Sequence, residues 1–181
     1  MWLRSRKWKV VAGFLALALV AQQASATVLA IPFFSQNDPR WRNGTICCTV
    51  SMCMALAYRG ASVDPPTLIN WLQKNRGYSS DGKQGPVNWK IACTYQGKQW
   101  YNYVGESKLP DLATLNNMIN NKQVVISMSN RFHPHWVIIR GVSADGKTGY
   151  YWDPWDTTPT TRTIGDGWVN KGNVIEILQI P

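Results

Sequence analysis

Charge is scarce in this chain of 181 residues: only 16% are Asp, Glu, Lys or Arg, and just 10 are acidic. Long hydrophobic runs are missing too. No stretch reaches the roughly eighteen consecutive apolar residues of a membrane span. There is no run of five Lys or Arg and no Gly-rich phosphate loop, so neither a nucleic-acid partner nor a nucleotide is indicated. Histidine occurs only twice, at His133 and His135, and Cys47 and Cys48 are adjacent. Neither spacing is the C-x₂-C or H-x₃-H of a zinc site, so we expect no metal and no cofactor. No repeat or low-complexity tract is present. The 14 Gly and 10 Pro are dispersed, which excludes collagen-like and linker-like chains. What is abundant is apolar material, 45% of the chain, enough for one folded domain.

The first 26 residues have a pattern of their own. Arg4, Arg6, Lys7 and Lys9 precede a 12-residue apolar run over 10–21, and Ala24-Ser25-Ala26 follows. A basic segment, a short apolar core and a small-x-small site are the three parts of a secretory signal peptide. As an anchor helix, twelve residues would span about 18 Å of a hydrocarbon core about 30 Å thick. We therefore expect cleavage after Ala26, a domain over 27–181, a secreted or periplasmic location and no stable membrane anchor. Residues 27–181 carry 15 basic and 10 acidic side chains, a formal charge of +5. Much of the chain's basicity thus belongs to the leader.

In an oxidising compartment four cysteines suggest disulfides. Cys47, Cys48 and Cys53 crowd into seven positions, however, and vicinal cysteines rarely bridge without strain. One bridge from Cys48 or Cys53 to Cys93 remains open.

Helical signals dominate the first half. CCTVSMCMALAYR over 47–59 lacks Gly and Pro, and Gly60 is a stop signal. Asp64-Pro65-Pro66 opens a second helix, with Leu68, Ile69 and Leu72 on one face. A short helix is expected over 87–94, an aromatic strand over 99–104, and a helix after the N-cap Asp111. The period then changes to that of strands, at 124–128, 136–142, 150–152 and 174–180, with an Asp145-Gly146 turn between the second and third. Helices followed by an antiparallel sheet make the expected class α+β.

Cys47 or Cys48 opens the first helix, where the dipole and unpaired N–H groups stabilise a thiolate. Cys53, mid-helix, is expected to pack as a small apolar side chain. His135 immediately precedes the strand WVIIRGV, so a rigid element holds it as a general base. Asp153 ends the next strand, and antiparallel pairing would bring it to the His135 ring to fix the tautomer. Trp136, Trp152 and Trp155 flank this pair and are candidate walls of a substrate cleft, against the usual role of tryptophan in packing.

SQNDPRW (35–41), CCTVSMCMALAYRG (47–60), HWVIIRGV (135–142) and WDPW (152–155) occur in that order. Together they resemble the C39-like branch of the papain-like cysteine peptidases. The resemblance implies a papain-like fold with the nucleophile at the start of a central helix. Counted back from Gly60, the nucleophile falls on Cys47. His135 corresponds to the base, Asp153 to the orienting acid, Gln36 to the oxyanion-hole glutamine and Ser51 to a serine of the helix. Ile46 and Cys48 stand where that family usually has glycines, which keeps Cys48 open as the nucleophile.

The expected activity is hydrolysis of peptide or amide bonds by a Cys-His-Asp triad, without metal. Its partner would be a peptide or protein substrate, or cell-wall material. The rivals are an inactive papain-like binding domain, motivated by Ile46 and Cys48, and a deamidase or peptidoglycan amidase using the same triad.

Overall fold

The structure is a computed structural model and describes residues 26–41, 46–79, 85–128, 135–165, 168 and 173–181. The expected leader, apart from Ala26, and the loop histidine His133 lie outside the described residues.

Helix α1 (Cys47–Tyr58) is buried over ten of its twelve residues, from Cys47 to Leu56. A helix apolar on every side belongs in the middle of a domain, and α1 is the central helix here. It stops at Gly60, whose φ of +90° suits a residue without Cβ. Gly60 N–H donates to Ala57 O and Ala61 N–H to Leu56 O, which closes the helix in a Schellman motif. Helix α2 (Pro65–Lys74) begins where the Asp64 carboxylate accepts the Thr67 N–H at 2.9 Å, and it turns Leu68, Ile69 and Leu72 inward. The short α3 (Trp89–Ala92) is capped by Asn88. Helix α4 (Leu112–Asn120) is capped by Asp111 and buries Leu112, Leu115 and Ile119.

Seven strands form one antiparallel sheet among the described residues. They are β1 (Thr27–Val28), β2 (Asn102–Lys108), β3 (Gln123–Met128), β4 (Trp136–Val142), β5 (Gly149–Trp152), β6 (Arg162–Ile164) and β7 (Val174–Gln179). Their order is β2-β7-β3-β4-β5-β6, with β1 beside the end of β4. Gly141 permits that last pairing, since a Cβ there would lie 2.1 Å from the Thr27 carbonyl oxygen.

The sheet is covered on both faces. Val124, Ile126, Ile138, Trp152 and Leu178 face α1 and its neighbours. Val125, Val137, Ile139 and Ile175 alternate with them and face α4. The class is α+β, with helices packed on an antiparallel sheet.

The structure departs from the sequence reading in three places. The aromatic strand begins at Asn102, not at 99, and runs on to Lys108. Trp100 and Tyr101 are instead drawn into the core, where Trp100 Nε1 donates to Tyr95 O and Tyr101 Oη to Ala55 O. Strands β1 and β6, of two and three residues, are too short to show a sequence period. Finally, no disulfide forms: all four cysteines are free and buried. Cys48, Cys53 and Cys93 pack in the apolar cluster around α1.

Candidate active site

The site forms where α1 begins and where β4 and β5 meet. Trp152 pairs with Ile138 across β4 and β5, so the residue before β4 and the residue after β5 lie at the same end of the ladder. Those residues are His135 and Asp153. His135 Nε2 is 2.7 Å from Asp153 Oδ1, and both side chains are buried. The same imidazole is hydrogen-bonded to the Cys47 thiol. Because Nε2 is taken by Asp153, Nδ1 is the nitrogen left for sulfur.

The electrostatics of the ring follow from these contacts. Burial opposes its protonation. The hydrogen bonds to Asp153 and then Cys47, together with the charges of both, outweigh burial and lift the His135 pKa from 6.5 to about 9. The imidazolium is thus the favoured form at neutral pH, beside a sulfur at a helix N-terminus.

Asp153 is itself held. Its Oδ1 accepts the Trp155 N–H at 2.8 Å, and its main-chain carbonyl accepts the Asp156 N–H at 3.0 Å. Arg162 Nε lies 3.9 Å from Asp153 Oδ2 and grips Asp156 with two hydrogen bonds. Sequence reasoning missed Asp156 and Arg162. The second aspartate of WDPWD was a signal, but Arg162 sits on a strand too short to be read.

Gln36 is fully buried. Its segment is stitched to the loop that carries Asp153: Gln36 N–H donates to Pro154 O at 2.7 Å, and Asn37 Nδ2 to Trp155 O at 2.6 Å. Trp41 Nε1 closes the segment onto Ser35 O at 2.7 Å. Ser51, on α1, donates to the Trp136 carbonyl at 3.2 Å and ties the helix to the start of β4.

The two cysteines at the helix start have different surroundings. Cys47 touches His135. Cys48 points into the core, and burial pushes its thiol far up, with smaller upward pushes from Cys47 and Glu176. A thiol so placed keeps its proton and is a poor nucleophile. Ile46 is 1% exposed and packs into the same cluster, so its branched side chain lies in the core.

The tryptophans also separate. Trp155 is 39% exposed and sets its ring edge-on to His135, with centroids 6.4 Å apart. Trp136 is half-buried, meets Trp89 edge-on at 5.7 Å, and lines a cavity of about 310 Å³. Trp152 is buried: its Nε1 donates to Ile31 O and its ring lies under the Arg140 guanidinium. It therefore packs beneath the site.

A family model described as Peptidase_C39 like family matches residues 28–173. The chain belongs to this family. The matched span includes α1, both strands that carry the His135–Asp153 pair, and the Gln36 segment. The order of elements in this C39-like domain, a central helix packed on an antiparallel sheet, is compatible with a papain-like fold, and the family is one of cysteine-peptidase-like proteins. A search of curated proteins found no match.

Proposed function

We propose that the protein is an exported thiol hydrolase that cleaves peptide or amide bonds with Cys47, His135 and Asp153. One observation carries the reading: a buried imidazole hydrogen-bonded on one side to Asp153, at 2.7 Å, and on the other to the thiol that starts α1.

With the proton already on His135 Nδ1, the Cys47 thiolate attacks the amide carbon. The carbonyl π electrons move to oxygen. The oxyanion is met by the Cys47 main-chain N–H and the Gln36 side-chain amide. As the C–N bond breaks, the imidazolium returns the proton to the leaving amine. Water then attacks the thioester while neutral His135 takes its proton. Collapse expels the Cys47 thiolate and releases the acid, and the imidazolium–thiolate pair is restored. Asp153 keeps the ring oriented throughout and stabilises its charged form.

The apolar packing of Ile46 and Cys48 favours this reading over an inactive binding domain. Export rests on the basic, apolar and small-residue order of 1–26. Proteins, peptides and the peptide part of cell-wall material all offer such an amide. A generic peptide digest, set against muropeptide release from purified wall, separates these substrates.

The test of the nucleophile is iodoacetamide labelling with peptide mapping between pH 5 and 8. Cys47 is expected to label first and still rapidly at pH 5. Labelling of Cys47 no faster than an ordinary thiol, or of Cys48 in its place, would overturn the proposal.

A further inference from the structure

A cavity of about 310 Å³ opens beside the reacting pair, lined by Cys48, Trp89, Tyr103, Glu106, Trp136 and Glu176. Its lining includes Cys48 and Trp136, the chain neighbours of Cys47 and His135, which puts the cavity close to the reacting pair. Its volume is at the low end of the range for ligand clefts, roughly 300–1,000 Å³, and suits one long side chain.

The charge of this cavity is unusual. Glu106 on β2 and Glu176 on β7 are paired directly across the antiparallel ladder, so both carboxylates leave the same face of the sheet. Like charges in that position repel. Glu176 is moreover only 5% exposed, and a buried charge costs more still. Its oxygens receive neutral donors, the Tyr103 hydroxyl at 2.7 Å and the Trp89 side chain. Among the described residues neither glutamate forms a salt bridge. Lys90 also lines the cavity, but it is exposed and forms no salt bridge with either glutamate. Among the described residues this pair of acids has no cationic partner, and burial pushes the Glu176 carboxyl above its usual pKa, in a pocket near the nucleophile.

We propose that this cavity is a specificity subsite for a lysine or arginine side chain flanking the scissile bond. Glu106 and Glu176 meet the charge, and Trp89 and Trp136 flank the aliphatic stem and the cationic head. An organic cation fits these walls better than a metal ion. Among the described residues no group of three or more His, Cys, Asp or Glu is arranged to hold one. The inference rests on the hydrolase reading for its meaning, but its test does not depend on turnover.

Blocked peptides that differ at one position, with Lys, Arg or norleucine, are titrated calorimetrically into the Cys47→Ala protein. At one position the basic peptides should bind about tenfold more tightly than the norleucine peptide. Glu106→Gln and Glu176→Gln, each added to that background, should remove most of the advantage. Glu106 is exposed on an edge strand, so its variant tests the idea even if Glu176→Gln fails to fold. Equal binding of all three peptides, or a preference that survives both substitutions, would overturn the subsite. Iodoacetamide labelling of Cys47 in the unaltered protein judges the hydrolase reading separately. A lysine preference without rapid labelling would sink hydrolysis and keep the pocket; rapid labelling without a preference would sink the pocket alone.

Discussion

The two faces of the sheet are built from the same strands and differ in what they bury. Against α4 the interior is largely apolar: Leu112, Leu115 and Ile119 meet Val125, Val137, Ile139 and Ile175, and the buried Ser127 shares this face of β3. Against α1 the interior has comparable aliphatic packing, but Gln36, Thr49, Ser51, His135, Asp153 and Glu176 are buried along that side or at its margin. Buried polar groups cost free energy unless they are bonded, and apolar side chains of similar shape would do as well for stability. The α4 face needs only volume and period. The α1 face meets chemical demands at the expense of stability. The difference teaches where to look for function in such a sheet: on the face that buries polar groups which the fold itself does not require.

The sharpest way to break this comparison is on α1 itself. Cys47→Ala should reduce turnover by about 10⁴-fold or more while leaving the thermal midpoint nearly unchanged. Cys53→Ala, on the same helix and fully buried, should do the opposite, costing about 1 kcal/mol of stability without loss of turnover. Rate assays and thermal melts on the two variants decide it. If Cys47→Ala keeps its activity, Cys47 is not the nucleophile and the buried polar groups of the α1 face serve another purpose.

Asp153→Asn comes next. An amide keeps the shape but loses the charge that holds the imidazolium, and turnover should fall by about 10²–10⁴-fold. The pH dependence carries more information. With the His135 pKa at about 9, the alkaline limb of kcat/KM should have its midpoint near 9. In Asp153→Asn that midpoint should move down toward the ordinary histidine range of about 6.5. Stability is linked with the same sign, because the folded state holds this proton more tightly than the unfolded chain. The His135 contribution is complete below about pH 6.5 and is lost as pH rises through about 9. An alkaline limb that Asp153→Asn leaves in place would remove Asp153 from its role.

How much of this could be read from residues alone differs between the two faces. The helices α1, α2 and α4 were legible because each has its own punctuation: Gly60 after α1, Asp64-Pro65-Pro66 before α2, Asp111 before α4. The placement of His135 next to Asp153 was legible because the end of one strand and the start of its neighbour must meet in an antiparallel pair. Gln36 entered only through resemblance, since a glutamine in a turn-rich segment has no local signal. The Glu106–Glu176 pair was not legible at all. It depends on the register of two strands 70 residues apart, and β7 reaches β2 only through the sheet order. The fate of the cysteines was hidden for a related reason. Nothing local distinguishes a thiol that packs in a core from one that could bridge.

On the α4 face the expected effects are purely structural. Leu115 is fully buried there, and Leu115→Ala should cost about 2–5 kcal/mol in denaturant unfolding. The iodoacetamide rate of Cys47, measured where the variant is still folded, should stay within about twofold of the parent. A rate that collapses with Leu115→Ala would mean that the two faces are coupled through the sheet.

The smallest effect sharpens the same point from the helix end. The Asp111 carboxylate accepts the Thr114 N–H at 2.7 Å and lies near the positive end of α4, and this bond with the main chain holds its pKa below the usual carboxylate value. Asp111→Ala should therefore lower stability slightly, as removal of a helix cap does. Since the folded-state pKa is depressed, the cap's contribution is present above the unfolded carboxylate value of about 3.9 and fades as pH falls through the lower folded one. The gap between parent and variant should then be constant at neutral pH and narrow in acid. Cys47 labelling should not respond, because α4 packs on the far side of β3 and β4 from α1. A gap that persists unchanged in acid would show that Asp111 acts through packing and not through its charge.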